Sequence, residues 1–266
     1  MRKYQNRIVI KVGTSTLTND IGQNDLRSFD RLACVLSDLQ NMGYEIILVS
    51  SGAIAIGTNK LQRKTRPAGM PLKQAAAAIG QCSLMHLYDK FFNDYDKTIA
   101  QILLNAEDME VEGKKENLIN TFGALLEMGI IPVVNENDSV SYTEIESADR
   151  LFGDNDMLSA VVAVLCKAQK LIIMSDVDGF FDLDPRLHPN AKRLECITSI
   201  GEEIKTLAGG AGSRRGTGGM KTKLQAAELA TMQGIDTVII NGKNPSALYK
   251  IMKGEKVGTL FVGKQQ

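Results

Sequence analysis

The sequence has no excess of charge: 31 lysines and arginines balance 31 aspartates and glutamates, and the sequence pI is about 6.7. No basic tail or stripe stands out, so charge gives no support to a nucleic-acid partner. Any anion the protein binds must be met by local groups. Histidine is scarce, with only His86 and His188. Neither sits at metal-ligand spacing or in a Ser-His or Cys-His constellation, so no histidine-based catalytic site and no protein metal site is expected. The four cysteines, Cys34, Cys82, Cys166 and Cys196, are far apart and mostly in apolar stretches. That pattern excludes a paired zinc motif and a dense disulfide framework, and predicts reduced packing residues. Long apolar runs are missing too. The longest, Met157 to Cys166, is too short to cross a bilayer, and the first strand-like run starts at Arg7, leaving no room for a signal peptide. A cytoplasmic protein with no membrane or nucleic-acid partner is the expectation.

With 266 residues, 44% of them apolar, the chain can bury one large core or two modest ones. Short β-rich runs recur between helical patterns: Ile8 to Ile10, Ile46 to Val49, Ile99 to Leu104, Ile130 to Val134, Leu171 to Ile173 and Val238 to Ile240. Runs that are apolar throughout suit parallel strands covered on both faces. Between the first two, Leu26, Phe29, Leu32, Ala33, Leu36 and Leu39 form one helical stripe, with Asn24 as N-cap and Gly43 as the stop. This is a βαβ unit. Further helices are expected at about 71–93, 115–128, 155–168, 220–233 and 245–253, and a last strand at Thr259 to Val262. The fold class that follows is α/β: a three-layer αβα sandwich with a mainly parallel central sheet. In such sheets ligands bind beyond the carboxyl ends of the strands, so the loops that follow strands carry the functional reading.

Four of these places hold chemistry-bearing residues. Lys11 ends the first strand and Gly13 opens the turn after it; its ammonium needs an anion or an exit to water, and a snorkelling lysine satisfies the same pattern. Ser50-Ser51-Gly52-Ala53 joins a strand to a small-residue helix, which suits an anion at a helix start or an ordinary serine-capped turn. Asn135-Glu136-Asn137-Asp138 and Gly153-Asp154-Asn155-Asp156 bracket an acidic loop. Their carboxylates and amides could hold an α-ammonium group, orient lysines or reach Mg²⁺ through water, or simply form a polar turn and a helix cap at Asp154 or Asn155. The fourth place is Gly216-Thr217-Gly218-Gly219-Met220-Lys221-Thr222-Lys223, a glycine-rich loop entering an amphipathic helix. Backbone amides, a helix N-terminus and Lys223 one turn in favour phosphate over a plain surface loop. No Gly-Lys is followed by Ser or Thr, so this is not a Walker A motif, nor does it have dinucleotide-fingerprint spacing.

In this order the motifs resemble the amino acid kinase superfamily nearly end to end, and within it the glutamate 5-kinase branch. They are Val9 to Ser15, Val49 to Ile54, Val134 to Asp138, Gly153 to Asp156, Ser175-Asp176 with Gly179 and Asp184-Pro185-Arg186, and Gly216 to Lys223. The resemblance implies phosphorylation of the γ-carboxylate of L-glutamate by ATP with Mg²⁺, the first step of proline biosynthesis, with proline as feedback inhibitor. It also implies one kinase domain over 1–264, an acceptor lobe at about 1–168 and a nucleotide lobe at about 169–264, no C-terminal PUA domain, and a homo-oligomer, dimer or tetramer. By the same resemblance Ser51, Asp138 and Asn155 bind glutamate with Asn135 and Asp154 close by. Ser175, Asp176, Thr217, Gly218, Gly219, Met220, Lys221, Thr222 and Lys223 bind ATP, and Lys11 contacts the transferring phosphoryl group. Asp156 is the candidate for orienting Lys11 and Lys223, the other two residues of the catalytic set. Ser50 and Ser175 stand where threonine is usual, and Phe181 where tyrosine is frequent. A sibling kinase acting on N-acetylglutamate or aspartate, or a sensor of ATP or proline without turnover, are the competing readings.

Overall fold

The computed structural model describes residues 6–19, 23–62, 67–105, 107–140, 155–209 and 219–264. Eight strands, β1 (Arg7–Val12), β2 (Glu45–Ser50), β3 (Ile99–Leu104), β4 (Ile131–Glu136), β5 (Lys170–Ser175), β6 (Cys196–Ile197), β7 (Asp236–Asn241) and β8 (Thr259–Phe261), form one sheet in the order β3-β4-β2-β1-β5-β7-β8-β6. Every pairing is parallel except β7 with β8. The helices are α1 (Thr14–Leu17), α2 (Leu26–Asn41), α3 (Ala53–Lys60), α4 (Met70–Asn93), α5 (Glu107–Glu110), α6 (Glu112–Glu127), α7 (Asn155–Leu165), α8 (Glu202–Gly209), α9 (Met220–Met232) and α10 (Ala247–Met252).

β1 is buried along its whole length, and the period of two in a strand divides its side chains between the sheet's faces. Ile8, Ile10 and Val12 join a core with Phe29, Leu32 and Leu36 of α2, Tyr88 and Phe92 of α4 and Leu248 of α10. Val9 joins the opposite core with Phe122 of α6, Leu158 and Val162 of α7 and Leu224 and Ala227 of α9. Lys11 shares the face of Val9, so alternation alone sends a lysine toward α7 and α9. β1 is also where the chain changes direction: β2 lies on one side of it and β5 on the other. Its carboxyl end is the switch point at which open α/β sheets take their ligands.

Several local expectations change. The N-cap of α2 is Asp25, whose carboxylate accepts from the Arg27 and Ser28 N–H groups, while Asn24 forms an isolated bridge with Thr18. α7 stops at Leu165 because Lys167 turns with φ 51, although Cys166 and Ala168 extend the apolar pattern into the core. α10 starts at Ala247, after Asn244 and Pro245 are used in the preceding turn. The packing role expected of the cysteines holds only for Cys166: Cys34 is half-buried, and Cys82 and Cys196 are exposed. Burial pushes the Cys166 thiol up to about 12, which keeps it protonated and unreactive. Asp154, Thr217 and Gly218 lie outside the described residues.

Candidate active site

Lys11 leaves the end of β1 in register with Val49 of β2 and Ile173 of β5. Its Nζ lies 2.6 Å from Asp156 Oδ1. Lys223, in the first turn of α9, places its Nζ 3.0 Å from the other oxygen, Oδ2, and the Thr222 hydroxyl donates to Oδ2 at 3.0 Å. Asp156 is fully buried and each lysine is 7% exposed. Burial alone would push the Asp156 carboxyl upward, but the two ammonium groups outweigh it and hold the acid below its ordinary value. Its place in the first turn of α7 works in the same direction, because the helix dipole favours an anion there. Two buried ammoniums thus share one carboxylate. Two ammoniums brought together at a strand end suit an anionic ligand. At the start of α9, Gly219 is an N-cap with no side chain to cap the helix.

A second cluster is built of amides and hydroxyls. The Ser51 N–H donates to the Val12 carbonyl at 3.1 Å, and Gly52 takes φ 107 to start α3, a conformation that favours glycine. The Asn155 amide donates to the Ser50 carbonyl at 2.7 Å, to Ser51 Oγ at 3.0 Å and to Asn135 Oδ1 at 2.9 Å. Asn135 Nδ2 in turn donates to Gln81 Oε1 at 2.8 Å. Behind this chain the buried hydroxyls of Ser50 and Tyr88 are 2.8 Å apart. Asp138 is half-buried in the turn after β4.

Ser175 and Asp176 follow β5, the neighbour of β1. Ser175 is buried and its hydroxyl donates to Asp176 Oδ1 at 3.1 Å; Asp176 also faces Arg186 at 3.8 Å. Met220 is half-buried and Lys221 exposed at the start of α9. The structure thus joins Lys11, Asp156, Thr222 and Lys223 in one cluster and Ser51, Asn135 and Asn155 in a second, with Ser175 and Asp176 at the next strand end. Asn155 and Asp156 are consecutive, about 100° apart on α7, which sends one toward β2 and β4 and the other toward the lysines.

Gln81 and Tyr88 were not read from the sequence. They lie on α4, seven residues apart and hence on one helix face, and that spacing was the available signal. They reach the site because α3 and α4 cross with backbones in contact. A Cβ on Gly57 would fall 1.8 Å from the Ala76 carbonyl oxygen, and one on Gly80 would fall 1.7 Å from that of Ala53. Among the described residues, no three of His, Cys, Asp and Glu are grouped to hold a metal ion. None of the described helices is long and apolar enough to cross a membrane.

A family model described as the amino acid kinase family matches residues 6–241. The glutamate 5-kinase of Clostridium perfringens is 52% identical over 263 residues, covering 99% of this chain and 97% of the relative. That of Listeria innocua is 49% identical over 264 residues, covering 99% and 95%. Among solved structures, carbamate kinase from Giardia lamblia bound to AMP-PNP superposes with a TM-score of 0.69 at 17% identity, covering 97% of this chain and 99% of that one. UMP kinase from Bacillus anthracis does so at 0.67 and 14%, covering 99% and 98%. These two carry the likeness of fold alone. A family model that spans most of the chain, and relatives sharing half their residues over nearly all of both lengths, show that this protein belongs to the amino acid kinase family, in its glutamate 5-kinase branch.

Proposed function

We propose that the protein transfers the γ-phosphoryl group of ATP to the γ-carboxylate of L-glutamate, giving L-glutamyl 5-phosphate and ADP, the first step of proline biosynthesis. The observation that carries this reading is the buried pair of lysines held on one carboxylate at the carboxyl end of β1. A γ-carboxylate has an ordinary pKa of about 4.3, so at neutral pH it is already the nucleophile and needs no general base. A carboxylate oxygen attacks the γ-phosphorus while the bond to the β–γ bridging oxygen breaks, and ADP leaves. What opposes this is repulsion between two anions, with charge spread over the oxygens of a loose transition state. Lys11 and Lys223 supply the opposing charge, and Asp156 fixes where both ammoniums point.

Ser51, Asn135, Asp138, Asp154 and Asn155 hold glutamate in this reading. Ser175, Asp176 and the segment from Thr217 to Lys223 hold the nucleotide. Mg²⁺, which holds on to its waters, would enter on the triphosphate; there it would neutralise phosphate charge. Residues 1–168 serve as the acceptor lobe and 169–264 as the nucleotide lobe of one kinase domain. The protein acts in the cytoplasm as a dimer or tetramer under feedback by proline, as the family likeness suggests; light scattering and rates with and without proline test these points.

The central test is ADP release with glutamate, aspartate and N-acetylglutamate as acceptors, trapping the acyl phosphate with hydroxylamine. Glutamate is expected to give both signals. Release that needs N-acetylglutamate or aspartate instead, or binding of ATP with no release, would overturn the reading. Lys11→Ala and Lys223→Ala are each expected to slow turnover by about 10²–10³ with the circular dichroism spectrum retained.

A further inference from the structure

The hydrogen-bond directions in the amide chain follow from one end of it. A backbone carbonyl only accepts, so the Asn155 atom 2.7 Å from the Ser50 carbonyl is its NH2 nitrogen. The same nitrogen meets Asn135 at 2.9 Å, so that atom of Asn135 is Oδ1 and the far side of Asn135 is its NH2. This NH2 donates to Gln81 at 2.8 Å, which makes the receiving atom Oε1. Turning the Gln81 amide over would set two NH2 groups against each other. Gln81 Nε2 is therefore the far end of the chain, shielded from solvent and with no hydrogen-bond partner among the described residues. A buried donor left unmet is costly and uncommon in a native fold.

Its position says which end of an acceptor it meets. Asn135 is the next-to-last residue of β4, two strands from β1 in the order β4-β2-β1, so it stands about 10 Å across the sheet from Lys11. The reacting carboxylate belongs near Lys11, which leaves the opposite end of the molecule for Gln81. That end of glutamate carries an α-ammonium and an α-carboxylate, and an N–H donor cannot serve an ammonium. Resting on the glutamate reading above, we propose that Gln81 Nε2 donates to the α-carboxylate, making Gln81 a substrate-binding residue that selects acceptors carrying that group. Neither charge nor motif spacing marks this residue in the sequence.

Gln81→Glu is the informative variant in the full-length enzyme, because it keeps an acceptor for Asn135 and replaces the donor by a carboxylate that repels the α-carboxylate. Gln81→Met, which removes the whole amide, is the second variant. The KM for glutamate is expected to rise about tenfold or more in both, the worth of one hydrogen bond to a charged group. The KM for ATP and kcat should change by less than about twofold. Two competitive inhibitors separate binding from general disturbance. Glutarate, with both carboxylates and no ammonium, should weaken by the same factor as glutamate; 4-aminobutyrate, which lacks the α-carboxylate, should not weaken. An unchanged KM for glutamate, or equal weakening of both inhibitors, overturns the proposal for Gln81. Wild-type enzyme without activity on glutamate overturns the glutamate reading instead, so the two failures are told apart.

Discussion

Asp156 holds two ammonium groups with one carboxylate, and it is the residue whose removal has the sharpest pH signature. Its pKa in the folded protein lies below the ordinary value of about 3.9. The ionised form is therefore favoured by folding. Its contribution is complete above about pH 4 and is lost as pH falls through the folded value. Asp156→Asn removes the carboxylate that two buried ammoniums share and is expected to cost about 3–5 kcal/mol. The difference in urea stability between wild type and variant should be flat from about pH 5 to about pH 8 and shrink below about pH 4. A difference that holds steady or grows toward acid would falsify this assignment of the charge. Lys11 was legible in the sequence only as a lysine at a strand end that needed an anion or water. In the structure the anion is Asp156 of α7, the residue the sequence offered for orienting Lys11 and Lys223; spacing alone could not join them, because the three come from β1, α7 and α9, far apart along the chain.

Helix α3 carries Ser51 and Gly52 at its start, and α4 carries Gln81 and Tyr88, so the crossing of the two sets the geometry of the amide chain. That crossing depends on Gly57 and Gly80, where an added Cβ would meet a backbone carbonyl oxygen at less than 2 Å. Backbone cannot step aside as a flexible side chain can. Gly57→Ala and Gly80→Ala should each lose about 1–3 kcal/mol or more in urea unfolding, by overpacking. Gly123, inside α6, has nothing within 4 Å of its would-be Cβ, so Gly123→Ala should instead gain about 0.5–1 kcal/mol from helix propensity. Equal effects at the three positions would refute the close crossing. The main strands and the long helices were legible because their apolar runs and stripes are strong. α8 and β6 were not: β6 is two residues long, and α8 is a short surface helix without a buried stripe. α6 begins at Glu112, ahead of the expected 115, because its first turn is exposed and carries no apolar signal.

Across the whole molecule, the proposed acceptor and nucleotide lobes divide at a point that neither core respects. β1 belongs to the first lobe, yet five of its residues, Ile8 to Val12, pair with β5 of the second. One core runs from Val9, Ile47 and Phe122 through Leu158 to Leu171, Leu224 and Phe261. The other runs from Ile8, Phe29 and Tyr88 to Ile172, Val238 and Leu248. Cutting the chain at 168 would expose one edge of β1 and open both cores, and an open apolar strand edge is a template for aggregation. The lobes are thus expected to unfold together, even if substrate binding divides between them. The chain has no tryptophan, so the unfolding probes are far-UV circular dichroism and labelling of the buried Cys166 thiol followed by mass spectrometry. In urea both should report a single transition with one midpoint, and a fragment of residues 1–168 should show no cooperative melt. Two separate midpoints, or a fragment that melts cooperatively by itself, would show that the lobes are independent folding units. Lys11 and Lys223 would then be brought together by docking of two preformed bodies. A single transition means that the same folding event that closes the sheet around β1 also assembles the lysine pair.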